Sequence, residues 1–386
     1  MGYIKVIRSK MYPNQDTKIL LDKTMGCCRF VYNNLLAQIN EDYHLWKENP
    51  NLPKPKVNSY DLVKAVVNLK KEYEWLGEVS AVALQQSAMQ LAIAFNNFFK
   101  NPGHYKHPRF KSKRSNNGFR IVGLTSVTIK SNKVAIPNNN RILTTCRPSL
   151  PDRSDVSSYS VVKDRVGNYF INCTVIVPLL PNPLTQIGSS VGIDLGIKSL
   201  ATVVQKRNNV VKSYTLDNPR VYVRKQKQRT KLSRRFAKKQ LGGSNRNKAR
   251  IRLAKLELKI ANQRKDLLHK TTTKLINENQ VIGIEDLNVT GLLRNHKLAK
   301  HIQDCGWGMI KEQLLYKSVK FKTPVTITMV DRFYPSTQTC SSCGHKRKVN
   351  LTLRERSWKC DHCNTEHDRD LNAAMNILME AKRLTV

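Results

Sequence analysis

Val191-Gly192-Ile193-Asp194-Leu195-Gly196-Ile197 is the stretch on which the reading of this chain turns. Val191-Gly-Ile reads as a short apolar strand with an acid at its end, and Val281-Ile-Gly-Ile-Glu285 repeats the arrangement. An acid at the end of a buried strand costs free energy unless it is paired or binds a metal. Working outward, Leu200 to Val204, Val210 to Leu216 and Val325 to Val330 read as further strands. A long basic helical region is predicted from about Val221 to Asn277, and a last helix from Asp370 to the end. Pro178, Pro181 and Pro183 mark a linker ahead of this region, which as a whole reads as α/β.

Asp194 and Glu285 lie 91 residues apart, so only the fold can bring them together; neighbouring strands of one sheet would do so. A third acid is expected on the last helix. Asp370 shares a face with Ala373, Ala374, Ile377 and Leu378, a stripe that must face the sheet, so Asp370 points at the other carboxylates. Asp368 lies before the stripe and suits the helix N-cap. Hard cations such as magnesium need oxygen ligands. Two of them held by Asp194, Glu285 and Asp370 would activate a water and stabilise the leaving oxygen of a phosphodiester. Taken one at a time, each acid reads equally well as a cap or a surface residue; together with the cysteines and the charge, the catalytic reading is the better one.

Across 386 residues, 67 Lys and Arg face 28 Asp and Glu, a formal charge of +39. Self-repulsion on that scale opposes folding and asks for a polyanionic partner. With 40% hydrophobic residues the chain still buries real cores. No apolar stretch approaches the roughly 18 residues of a membrane span, and the N-terminus lacks a signal-peptide core, so a cytoplasmic protein is expected. From Arg220 to Lys274, twenty Lys and Arg meet only Glu257 and Asp266. Leu253, Leu256, Ile260 and Leu267 supply a buried face there, and the surplus charge is assigned to a nucleic-acid backbone, with Arg234, Arg235 and Lys255 as contacts. Tyr and Phe are sparse in this stretch, so no base-stacking platform is indicated.

Nine cysteines, an odd number, argue against a disulfide framework. Cys340-Ser-Ser-Cys343 and Cys360-Asp-His-Cys363 stand sixteen residues apart, a spacing that lets four thiolates close a tetrahedron around zinc. Gly344 allows the tight turn of the first knuckle. His345, His362 and His367 lie close by and are read as surface residues. Cys27, Cys28, Cys146, Cys173 and Cys305 are read as small core residues.

The N-terminal half reads as a strand (Tyr3 to Arg8), helices from about Thr17 to Lys100, a basic loop from Lys106 to Arg114, and short strands over 118–180, one of them beginning at Val127. Those strands suggest a small barrel or sandwich.

Gly192-Ile-Asp194-Leu-Gly-Ile, Gly283-Ile-Glu285-Asp-Leu-Asn and Asp368-Arg-Asp370-Leu-Asn-Ala-Ala-Met-Asn-Ile resemble the three motifs of a RuvC-type nuclease. Tyr334-Pro-Ser-Thr-Gln-Thr-Cys-Ser-Ser-Cys-Gly344 resembles the transposon-encoded TnpB proteins, RNA-guided DNA endonucleases related to the type V CRISPR effectors. Gly26-Cys-Cys-Arg-Phe-Val-Tyr-Asn33 and the run from Trp75 through Phe98-Phe99 to Pro108-Arg-Phe-Lys111 match that family too. The resemblance implies a multidomain α+β protein. A helical recognition lobe (14–113) would be inserted in a β-barrel wedge domain (1–13 and 114–187). An RNase-H-like RuvC α/β domain (188–335 and 367–386) would follow, carrying a four-cysteine zinc-finger insert (336–366). It implies a guide RNA from the transposon end and target double-stranded DNA as partners, in a prokaryotic, nucleoid-associated setting, with no small-molecule substrate. Sequence choice would rest on base pairing, while the protein reads a short adjacent motif. Because the family places duplex reading in the helical lobe, Gln85 and Gln86 are expected to face an A/T-rich duplex, where glutamine pairs with adenine.

Two rivals remain. A non-catalytic nucleic-acid-binding zinc-ribbon protein explains the charge and cysteines but leaves three acids idle. A DNA-strand-transfer transposase uses three carboxylates but does not explain the zinc insert before the third.

Overall fold

The computed structural model describes residues 2–385 apart from 114–116, 123–127, 131, 139–143, 153–154, 209, 349–350 and 352–354. The expected strand start at Val127 and loop end at Arg114 lie outside the described residues. The chain divides into two compact units, Gly2–Val177 and Pro178–Val386. Among the described residues no helix is long and apolar enough to cross a membrane.

In the first unit, strand β1 (Gly2–Tyr12) is followed by helices α1 (Gln15–Glu48), α2 (Ser59–Glu72) and α3 (Ala81–Lys100). Strands β2 (Gly118–Val122), β3 (Thr128–Lys130), β4 (Lys133–Ala135), β5 (Thr144–Arg147), β6 (Val156–Lys163) and β7 (Tyr169–Pro178) come next. They build a seven-stranded sheet of order β2-β6-β7-β1-β5-β4-β3, so the helices are an insertion between two strands of one sheet. Asn14 and Asn58 open α1 and α2, each side chain accepting from a backbone N–H three residues on, at 2.9 Å. Leu21, Met25, Val31, Leu35, Leu84 and Leu91 fill the core between the helices.

The second unit begins with β8 (Ser189–Leu195), β9 (Ser199–Arg207) and β10 (Val210–Asp217), then α4 (Val221–Ala237) and α5 (Ser244–Glu278). After β11 (Val281–Glu285) come α6 (Val289–Leu292), α7 (Ala299–Cys305), α8 (Trp307–Ser318) and β12 (Thr326–Val330). A two-stranded ribbon, β13 (Ser357–Lys359) with β14 (Glu366–Asp368), leads straight into α9 (Arg369–Thr385). The basic helical region expected from Val221 to Asn277 is made of two helices, because Gly242-Gly243 interrupts the run and the chain reverses there.

The sheet runs β10-β9-β8-β11-β12. β10, β9 and β8 pair antiparallel, whereas β8, β11 and β12 pair parallel. Val191, Ile193, Ile282 and Ile284 face Leu268, Leu275 and Ile276 of α5 and Ile310 and Leu314 of α8. The other face takes α9, whose Ala373, Ala374, Ile377 and Leu378 are all buried. Gly192 and Gly283 stand opposite each other in register. A Cβ on Gly192 would lie 2.2 Å from the Ala374 carbonyl oxygen, and one on Gly283 would lie 2.5 Å from the Ala381 Cβ. These glycines are therefore a slot that lets α9 lie directly on the sheet.

Candidate active site and metal centre

Side chains alternate along a strand, so Asp194 shares the α9 face with Gly192, and Glu285 shares it with Gly283. The register puts Ile284 beside Ile193, hence Glu285 level with Asp194 at the same end of both strands. α9 starts over that end. Burial pushes the Asp194 carboxyl up to about 8, helped by the negative charges of Glu285 and Asp370. Glu285 is also raised by burial, though it accepts a hydrogen bond from Ser336 Oγ at 2.9 Å. Asp370, half-buried, has Arg356 Nη1 at 3.6 Å. Asp368 accepts from the backbone N–H of Asp370 at 3.0 Å and of Leu371 at 2.9 Å, the N-cap role assigned to it. Asp286, next to Glu285, is diverted outward: Lys311 at 2.6 Å and Arg332 at 3.2 Å hold its carboxyl below the usual range. The structure thus brings Glu285 and Asp370 within electrostatic reach of Asp194 without closing the three into a tight cluster.

Among the described residues, the one group of metal-ligand side chains whose donor atoms all lie within 4.8 Å of one another is Cys340, Cys343, Cys360 and Cys363. The two knuckles are copies of one turn. Gly344 N–H donates to the Cys340 carbonyl at 2.8 Å and Asn364 N–H to the Cys360 carbonyl at 3.0 Å. Both turn residues have positive φ, 75° and 55°. Glycine and asparagine are the residues that adopt this left-handed backbone most readily. Four cysteine sulfurs brought this close match the donor set that structural zinc sites use. The other five cysteines are buried, and burial pushes the thiols of Cys28 and Cys146 up to about 12, as expected of inert core residues.

Two expectations need correction. His367 is not a surface residue: it is 9% exposed, and its Nε2 lies 3.0 Å from Cys340 Sγ. Its place opposite Trp358 in the β13–β14 ribbon turns it inward, and that short pairing carries too few residues to show a period in the sequence. Gln86 does not face solvent either. α3 packs against both α1 and α2, so its buried face is wider than one stripe and includes Gln86, 8% exposed, with Nε2 3.1 Å from the Met89 sulfur. Gln85 is half-buried, and Gln90 is exposed.

Arg234, Arg235 and Lys255 are exposed on the α4–α5 hairpin. No residue of α4 is buried. Arg235, Lys238, Lys248 and Arg252 surround a cleft of about 460 Å³ at its tip. Sequence reasoning missed what fixes the root of the hairpin: buried Asp304 accepts from the N–H groups of Tyr222 at 3.0 Å and Val223 at 3.3 Å, neutralising the start of α4.

A family profile described as "Probable transposase" matches residues 169–296, a Cas12f1-like TNB domain matches 307–377, and a helix-turn-helix domain matches 1–47. In that last segment the structure holds β1 and one uninterrupted stretch of α1. A protein of Streptomyces pristinaespiralis named "Putative RNA-guided DNA endonuclease" is 33% identical over 97% of this chain and 88% of its own length. The chain belongs to the TnpB family. InsQ of Escherichia coli K12, which carries the same designation, is 26% identical over 98% of this TnpB-family chain and 92% of its own. The fold is that of Cas12f1: the chain in a cryo-EM complex with sgRNA and target DNA matches with a TM-score of 0.60 at 14% identity, over 94% of this chain and 83% of that one.

Proposed function

We propose that this TnpB-family protein is an RNA-guided DNA endonuclease with one cutting site, built on Asp194, Glu285 and Asp370. The observation that carries the reading is Asp194: a carboxyl sunk at a strand end beside two further acids, in a chain otherwise short of acid. Such an arrangement opposes folding unless a cation relieves it. Asp194, Glu285 and Asp370 would hold magnesium, and bound ions of this kind supply an activated water and stabilise the leaving oxygen of a phosphodiester. Ser336 orients Glu285 through its hydroxyl. Asp368 spends its carboxylate on the helix start and leaves Asp370 free to face the sheet. The four cysteines would hold zinc and order the ribbon that leads into α9.

The relatives' names speak of RNA guidance and of DNA as what is cut; for this chain the partners proposed are a guide RNA and target double-stranded DNA. In this reading the polycationic hairpin grips phosphates without reading sequence. Residues 188–335 and 367–386 form a RuvC-type nuclease domain with the insert 336–366. Residues 1–13 and 114–187 form a wedge domain around the recognition lobe 14–113. Duplex reading by the lobe would fall to Gln85 and Gln90, since Gln86 is buried. The test is cleavage by the protein purified with its co-expressed RNA, on DNA carrying a match to that RNA, with magnesium and after chelation. Cutting that ignores the RNA sequence overturns guidance; cutting that survives chelation overturns the metal.

A further inference from the structure

The zinc ribbon and the carboxylates touch through a small set of side chains that neither site needs for itself. His367 sits in β14 directly opposite Trp358 of β13, their rings 4.8 Å apart between centroids. Its Nε2 lies 3.0 Å from Cys340 Sγ. Once the four sulfurs hold a cation as thiolates, no S–H remains, so the ring nitrogen is the only possible donor in that pair. The next residue along, Asp368, closes the first turn of α9 over the N–H groups of Asp370 and Leu371.

A second strap runs beside the first. Asn372 and Asn376, buried and one helical turn apart on α9, both grip the segment that enters the first knuckle. Asn376 Nδ2 donates to the Ser336 carbonyl at 2.7 Å and the Thr339 carbonyl at 2.6 Å. Asn372 Nδ2 donates to the Thr339 carbonyl at 2.8 Å, and its Oδ1 accepts from Ser341 N–H at 2.9 Å. Ser336 is the residue whose hydroxyl orients Glu285. Cys340 is thus tied on one side to Asp370 through His367 and on the other to Glu285 through the asparagine clamp.

We propose that His367 is a positioning residue: its Nε2–H donates to the Cys340 thiolate and so makes metal occupancy of the ribbon set the start of α9 and the stance of Asp370. The inference rests on the reading of Asp370 as a metal-holding carboxylate only for its consequence in cleavage. Hydrogen bonds of this kind to a metal ligand orient it and tune its donor strength, and losing one costs about 10-fold in metal retention.

The experiment uses the full-length protein and two variants. His367→Phe keeps a ring against Trp358 but has no donor, and His367→Gln keeps an N–H at similar reach. Three quantities are read: zinc release to a chromogenic chelator, the sulfur-to-metal charge-transfer band of the cobalt-substituted ribbon, and hydrogen exchange over 367–373 with zinc bound. His367→Phe should release zinc about 10-fold faster. It should also move the charge-transfer band to longer wavelength, because an unbonded thiolate gives up electron density more easily, and speed exchange at the first turn of α9. His367→Gln should restore all three. Release and spectrum unchanged in His367→Phe would overturn the hydrogen bond. Both changed with unchanged exchange would overturn the link to α9. A wild-type spectrum of a site with three sulfurs and one nitrogen would make His367 a ligand and overturn the outer role. Absence of DNA cutting by the wild type would count against the endonuclease reading and leave these three readouts standing.

Discussion

The carboxylate end of the β8–β11 sheet and the α4–α5 hairpin belong to one unit and handle charge in opposite ways. At the sheet end Asp194 and Glu285 are taken out of water, and the acids around Asp194 have named neighbours: Ser336 on Glu285, Arg356 on half-buried Asp370, the backbone of α9 on exposed Asp368. On the hairpin, cations crowd an exposed surface in which α4 buries nothing. On the function proposed above, the first region would work by placement, where a shift of an ångström matters, and the second by the sum of its charges, where no single residue is decisive. A localised chemistry therefore leaves a motif in the sequence, whereas an electrostatic surface leaves only a composition.

The sharpest way to break that contrast is single substitution. Asp194→Ala, Glu285→Ala and Asp370→Ala should each lower DNA cleavage about 10³-fold or more, the several kcal/mol that a bound metal supplies, with RNA binding intact by filter assay. Asp286→Asn, one residue from Glu285 but paired to Lys311 and Arg332, should leave cleavage within a few-fold of wild type. A large loss at Asp286 and none at Glu285 would reverse the assignment.

Placement itself is tested at the slot. Gly192→Ala forces a Cβ against the α9 backbone, so α9 must rise; unfolding in denaturant should show a loss of about 1–3 kcal/mol. Cleavage should fall more than stability alone explains.

The buried acid predicts a pH signature. Because the folded state holds Asp194 up to about 8, its contribution to stability is complete below the ordinary carboxylate value near 3.8 and is lost as pH rises through about 8. Without divalent cations, Asp194→Asn should match wild type in thermal melting at pH 4 and melt several degrees higher at pH 9. Adding magnesium to the wild type should close the gap. Equal melting at pH 9 would mean the carboxyl is not held in its neutral form.

The hairpin should answer weakly and evenly. Arg235→Ala or Lys255→Ala should each reduce the slope of log affinity against log salt by about one and leave sequence preference unchanged. A change of preference from either would make the hairpin a reader of bases.

The same contrast accounts for what the sequence made legible. The four cysteines and the Asp368 cap stand at local spacings that a linear reading finds; Asp194, Glu285 and Asp370 lie far apart in the chain, and each is marked only by the apolar strand or stripe beside it. The burial of Gln86 is not legible in the sequence because it depends on two helices packing on α3, and that of His367 because a three-residue ribbon shows no period. The basic run from Val221 reads as helical, and the place where it turns back, Gly242-Gly243, is fixed by the two helices packing on each other. Gly192 and Gly283 were quoted within motifs, yet their purpose, clearing space for α9, appears only when the strands stand in register.

The most direct test of the central claim pairs guidance with the buried acid. Two plasmids, one matching and one not matching the co-purified RNA, would be incubated with the wild-type complex and with Asp194→Ala, each with magnesium and after chelation. Cutting is expected only of the matched plasmid, only by wild type and only with magnesium; equal cutting by Asp194→Ala would show that the buried acid does not do the chemistry.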